Sequence, residues 1–165
     1  MTCSSVLYSL RRVTLCPRLH DNRLLHLPDD IPCLTLLREA RLYNNQIAAV
    51  FSRPFPAAPT LFGSVRVLRM VNNHVTSPLL NTIASGCPLI EELALSHNRI
   101  SLLHAAVCSL SKLQRLLLHS NRICHIAAEV LNLSSLHTLI LTGWGFGVVL
   151  LGVGCCVVGG LVLCC

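Results

Sequence analysis

Acidic residues are scarce in this sequence, and so are aromatic rings. Seven Asp and Glu stand against thirteen Lys and Arg, a net charge of +6 over 165 residues. So few carboxylates leave little for paired acid–base catalysis, and the adjacent Asp29 and Asp30 read as solvated turn residues. One Trp, two Tyr and four Phe, with no basic run beyond Arg11-Arg12, argue against a stacking platform for nucleic acid. The positive balance permits an anionic partner without demanding nucleic acid. There is no Gly-rich phosphate loop, no nucleophile elbow and no histidine-zinc motif. The ten cysteines include no spaced pair of the kind that ligates zinc; Cys155-Cys156 and Cys164-Cys165 are adjacent. Neither catalysis nor a cofactor is expected.

A secretory leader is also lacking, because Val6 to Leu10 is too short an apolar core and Arg11-Arg12 follow it. The acid-free first twenty residues share a trait with mitochondrial presequences, but an N-terminal cap over 1–12 is the preferred reading. The thiols are therefore expected to be reduced, and the protein to be cytoplasmic or anchored facing the cytoplasm. Cys33, Cys87, Cys108 and Cys124 fall among apolar positions and read as small core residues.

Charge is missing altogether after residue 130. From 143 to 165 every residue is glycine or apolar. As a helix, the last twenty residues, 146–165, would span roughly 30 Å, the thickness of a bilayer core. A C-terminal transmembrane helix is expected there. No Lys or Arg flanks the run, and five glycines within it weaken a helix. Two alternatives stay open: a buried C-terminal cap, and a tail left where the chain was cut or misread mid-unit.

What the sequence has in quantity is a period. Ile90, Leu93, Leu95, Asn98 and Ile100 occupy positions 1, 4, 6, 9 and 11 of a pattern. It returns at Leu113, Leu116, Leu118, Asn121 and Ile123, at Leu37, Ala40, Leu42, Asn45 and Ile47, and more loosely at Val65, Leu68, Met70, Asn73 and Val75. Positions 4 and 6 alternate with 3, 5 and 7, which predicts a short strand with one buried face. Strands are expected near 39–42, 67–70, 92–95, 115–118 and 138–141. The asparagine leaves the strand at a turn and should point inward, where its amide must find partners. Asn22, Asn45, Asn73, Asn98 and Asn121 are accordingly expected to form a ladder through the stack.

On these residues the chain resembles the leucine-rich repeat family, whose signature is L-x-x-L-x-L-x-x-N-x-L. The resemblance implies an α/β solenoid, with short parallel strands on a concave face and helical or irregular segments on the convex one. Five to six units are expected over 13–142, followed by the apolar tail over 143–165. The first unit has two frames. One uses Leu19, Asn22, Leu24 and Leu27 with Pro17 at a strand position; the other uses Leu10, Val13 and Leu15 as the strand. Pro54, Pro56 and Pro59 exclude regular helix from the long step between Asn45 and Asn73. Ser77, Pro78 and Gly86 fit the cap, first turn and end of a convex helix that would bury Leu79, Leu80 and Ile83. Helical turns are expected at 105–109 and 127–131. The phrase Gly86-Cys87-Pro88-Leu89 resembles the helix-bearing repeats of F-box leucine-rich proteins.

The family resemblance further implies a non-enzymatic module that binds a protein through the concave strand positions. Position 3 reads Glu39, Val67, Glu92, Arg115 and Thr138. Position 5 reads Arg41, Arg69, Ala94, Leu117 and Ile140, with Arg18 before them in one frame. Position 7 reads Tyr43, Val71, Ser96, His119 and Thr142. The candidate contact residues are Glu39, Arg41, Tyr43, Arg69, Val71, Glu92, Arg115, Leu117, His119 and Ile140. This face grades from basic to apolar, so the expected partner offers an acidic patch to Arg41 and Arg69 and an apolar group to Leu117 and Ile140. Nucleic acid is not favoured, and a membrane contact would run through 146–165. The eight histidines share no column and read as solvated loop residues. A truncated fragment without a function of its own, or an adaptor of a ubiquitin ligase or phosphatase, is the alternative reading.

Overall fold

The computed structural model describes residues 19–27, 36–49 and 62–141, and beyond them the strands Cys155–Val158 and Leu161–Cys164. The N-terminal cap, the strand of the first unit and the proline-rich step over 51–61 lie outside the described residues. Units are numbered here by their asparagine, from Asn22 in unit 1 to Asn121 in unit 5.

Five three-residue strands form one parallel sheet: β1 (Glu39–Arg41), β2 (Val67–Arg69), β3 (Glu92–Ala94), β5 (Arg115–Leu117) and β7 (Thr138–Ile140), in that order. The register is uniform, with Ala40, Leu68, Leu93, Leu116 and Leu139 aligned across it. These central residues are buried on one face, as a period of two requires. Each strand is extended by one further bond, from Leu42 N to Arg69 O, Met70 N to Ala94 O, Leu95 N to Leu117 O and Leu118 N to Ile140 O.

A turn then reverses the chain through a residue with positive φ. Asp21, Asn44, Asn72, His97 and Ser120 occupy this place, with φ between 54° and 58°. None is glycine, and most are the short polar types or histidine that tolerate the left-handed region. The next residue is the asparagine, swung into the core. Asn45, Asn73, Asn98 and Asn121 are all buried. Each donates its amide to a carbonyl of its own turn and to one in the preceding unit: Leu19, Leu42, Met70 and Leu95, at 2.8–2.9 Å. Each side-chain oxygen accepts a preceding backbone N–H, from Leu24, Ile47, Val75 and Ile100. Asn22 differs: it is exposed, and among the described residues it bonds Leu19 O and His20 O of its own turn. Leu19 accepts from Asn45 as Leu42 does from Asn73, so Leu19 is position 6 and the frame containing it holds for the described part of unit 1.

The convex side varies from unit to unit. Ser77–Gly86 forms α1, burying Leu79, Leu80, Ile83 and Ala84, with Pro in its first turn. Thr76, not Ser77, is its N-cap residue. The Ser77 hydroxyl accepts N–H groups from Ser101 and Leu102 instead, joining unit 3 to unit 4. Ala105–Ser109 and Ala128–Asn132 are 3-10 helices, and β4 (Leu102–Leu103) pairs in parallel with β6 (His125–Ile126). The core runs between the two sides as one cluster, from Leu27 to Leu139.

The tail corrects an expectation. Instead of a helix over 146–165, β8 (Cys155–Val158) and β9 (Leu161–Cys164) pair antiparallel, with Val157 opposite Val162. β-branched valines favour strands over helix. No helix among the described residues is long and apolar enough to cross a membrane.

Replacing Asn98 with Ala removes three donated bonds and one accepted bond. The expected loss in urea unfolding is about 1–3 kcal/mol for each buried group left unpaired. Replacing Gln46, an exposed amide next to the ladder residue Asn45 and outside the left-handed position, should cost under about 0.5 kcal/mol. Equal losses in the two variants would contradict the ladder as a structural device.

Candidate functional site

Strand positions 3 and 5 project from the sheet opposite the core, and position 7 follows at the turn. On this face the charged candidates form one connected network. Glu39 Oε1 accepts from Arg41 Nε and from Arg69 Nη1, each at 2.8 Å. Arg69 Nε reaches Glu92 Oε1 at 3.0 Å, and Arg115 bonds the other oxygen of Glu92. Three guanidinium groups and two carboxylates thus alternate across β1, β2, β3 and β5. Arg66 and Glu91 form a separate pair at 2.9 Å along the flank.

The network offsets the repulsion between the like charges of Arg41 and Arg69. Equivalent residues in adjacent strands lie close, but Glu39 bonds both and Glu92 takes the far side of Arg69. Glu92 bridges Arg69 and Arg115, its side chain only 8 % exposed. Ala94 beside it is also buried, so unit 4 forms the floor of the face between larger neighbours.

The remaining candidates separate into two groups. Tyr43 stacks on His20, with ring centroids 4.3 Å apart and planes 9° from parallel. His20 also bonds Asp21, which receives Asn44 in turn; these two bonds hold the Asp21 carboxyl below its usual range. At the other end Leu117 aligns with Ile140, both half-exposed, and Val71 is half-exposed in unit 3. His119 lies at the turn of unit 5, with Ser96 Oγ 2.6 Å from Nδ1 and His97 edge-on at 5.1 Å. Thr142 lies outside the described residues.

The Ser96–His119 pair has the spacing of a nucleophile and its base. Ser96 is fully buried, so no substrate carbonyl reaches its oxygen, and the pair serves as a tie between units 4 and 5. Burial, and then the neighbouring His97, push the His119 imidazole below its ordinary value. Among the described residues no group of three or more His, Cys, Asp or Glu could hold a metal. Cys87 is buried and its thiol is pushed up to about 12, chiefly by that burial, which makes it an inert core residue.

Sequence reasoning found the columns but missed what fills them. The ion network depends on which rotamers cross between strands, and no periodicity reports that. The turn column Asp21, Asn44, Asn72, His97 and Ser120 was legible, since a polar residue precedes every ladder asparagine.

Solved structures share this arrangement. A leucine-rich repeat protein of Leptospira interrogans superposes with a TM-score of 0.64 at 23% identity, covering 86% of this chain and 34% of that one. An internalin of Listeria monocytogenes gives 0.52 at 22% identity, covering 68% of this chain and 30% of its own. The chain has the leucine-rich repeat fold. It spans about a third of the length of those two proteins. No family model and no curated protein matches the sequence.

Two outcomes follow from the repeat face. Replacing Glu92 with Gln leaves Arg69 and Arg115 without their shared carboxylate, and stability should fall by about 1–2 kcal/mol, less at high salt. An unchanged melting temperature would show the network to be a solvated decoration. For His119 the folded imidazole titrates below the unfolded one, so the unfolded state binds the proton first. Its contribution is present above the unfolded value of about 6.5 and falls away as pH drops through that value toward the folded one. Thermal melts between neutral and mildly acidic pH should lose part of this slope in His119→Asn.

Proposed function

We propose that this leucine-rich repeat array is a non-enzymatic recognition module that holds a partner protein on its concave sheet face. The observation that carries the reading is the aligned pair Leu117 and Ile140 on adjacent strands, half-exposed at positions that point away from the core. Apolar groups gathered on an open face favour contact with another surface. Val71 continues this character, while the alternating Arg and Glu network bounds it on the N-terminal side. Such a face favours a partner segment that brings an aliphatic or aromatic side chain to Leu117 and polar groups to the network. The membrane tether depended on a helix over 146–165 and has no part in this proposal.

A peptide-display selection against the full chain tests it. Peptides enriched over a blank support should bind Leu117→Asp at least tenfold more weakly, and bind Gln46→Ala as they do the unaltered protein. Enrichment of nothing above the blank, or of peptides indifferent to Leu117→Asp, would overturn the reading.

A further inference from the structure

The net charge of +6 has to appear somewhere, and the concave network absorbs most of its own. Five acids fall among the described residues, and their places are known. Glu39 and Glu92 bond the concave arginines, Glu91 bonds Arg66, Asp21 bonds His20 and Asn44, and Glu129 lies on the convex 3-10 helix. None belongs to the turns of units 3, 4 and 5, at 72–76, 97–101 and 120–124.

Those turns carry a column of their own at position 10, between the buried asparagine and the buried apolar residue at position 11. It reads Arg23, Gln46, His74, Arg99 and Arg122. Backbone bonds align it: Gln46 N donates to Leu24 O, His74 N to Ile47 O, Arg99 N to Val75 O and Arg122 N to Ile100 O. Each acceptor is the residue after the column member in the unit before. Flanked by two inward residues, position 10 points outward, and both Arg99 and Arg122 are exposed. Neither has a side-chain hydrogen bond or ion pair with any described residue. Adjacent backbones lie about 4.8 Å apart, so two like charges stand side by side with His74 next in line. An anion lying along this rim would relieve them both.

We propose that the rim formed by Arg99 and Arg122, with His74 beside them, is a docking edge for an acidic segment of the partner protein. This rests on the reading of the array as a protein-binding module, but concerns a different surface. The planar fork of a guanidinium matches a carboxylate with two parallel bonds. A nucleic acid is disfavoured because these turns contain no Phe, Tyr or Trp to stack a base. Two arginines also neutralise few phosphates.

The experiment measures binding of a labelled oligoglutamate peptide to the full chain at low salt, with an oligothymidylate of equal charge as a second probe. Arg99→Glu/Arg122→Glu should weaken the peptide at least tenfold, and Arg99→Gln/Arg122→Gln should do so less steeply. Arg38→Glu/Lys112→Glu removes the same charge from exposed sites off the column, and should change binding less than twofold. The rim effect should shrink as salt rises. Equal losses in the rim and off-column pairs would overturn the proposal, since the general field would then suffice. Failure of the peptide to bind would overturn it too, as would tighter binding of the oligothymidylate through the same arginines. Leu117→Asp should leave oligoglutamate binding intact, so failure of the concave-face reading is seen separately.

Discussion

A primary amide has two N–H groups and an oxygen to satisfy, and in a core it must satisfy them with protein. In this chain that demand is met between units rather than within one. Asn73 donates backward to Leu42 O while its oxygen takes the N–H of Ile47, and Asn98 does the same with Met70 and Val75. The turn therefore cannot close correctly unless the preceding turn is already in place. Strand register, the left-handed residue at position 8 and the burial of position 11 all follow from that one constraint. The repeats are stapled at the corner where the sheet ends and the convex crossing begins.

The same logic marks where the ladder stops. Ile123 N–H and Leu118 O occupy the places whose counterparts in earlier units receive the next asparagine. Position 144, one step of 23 beyond Asn121, is Trp in place of asparagine, and lies outside the described residues. The ladder among the described residues accordingly runs from Asn45 to Asn121. A solenoid depends on nearest-neighbour interfaces, so its end units are held on one side by weaker means.

Charge is distributed by the fold in a way that composition does not reveal. Strand positions bring Arg and Glu from units far apart in sequence within bonding distance, Glu39 and Arg69 being thirty residues apart. Long side chains on neighbouring strands can choose among partners, and acids placed at position 3 take the arginines at position 5 and Arg115 at position 3. The turns of units 3, 4 and 5 receive no acids. The sheet face is left nearly balanced and the rim cationic, which separates an apolar contact region from an electrostatic one.

The repeat architecture could be read from the sequence because its cause is local and recurrent. Apolar residues at 1, 4, 6 and 11 with asparagine at 9 fix a short strand, a turn and an inward amide within one unit. The five strands lie where that pattern places them, and Pro78 and Gly86 lie in the first turn and at the end of α1. The tail was misread because a run of glycine and apolar residues has no period, and helix and hairpin compete in it on length and β-branching alone. The frame of unit 1 was open in sequence, and one hydrogen bond from Asn45 to Leu19 decided it. The ion network, the His20–Tyr43 stack and the Ser96–His119 tie were likewise beyond the sequence. Each joins residues more than twenty positions apart through rotamers that only packed neighbouring units select. Sequence determined what one unit must do to stack; tertiary structure decided which side chains then meet across the stack.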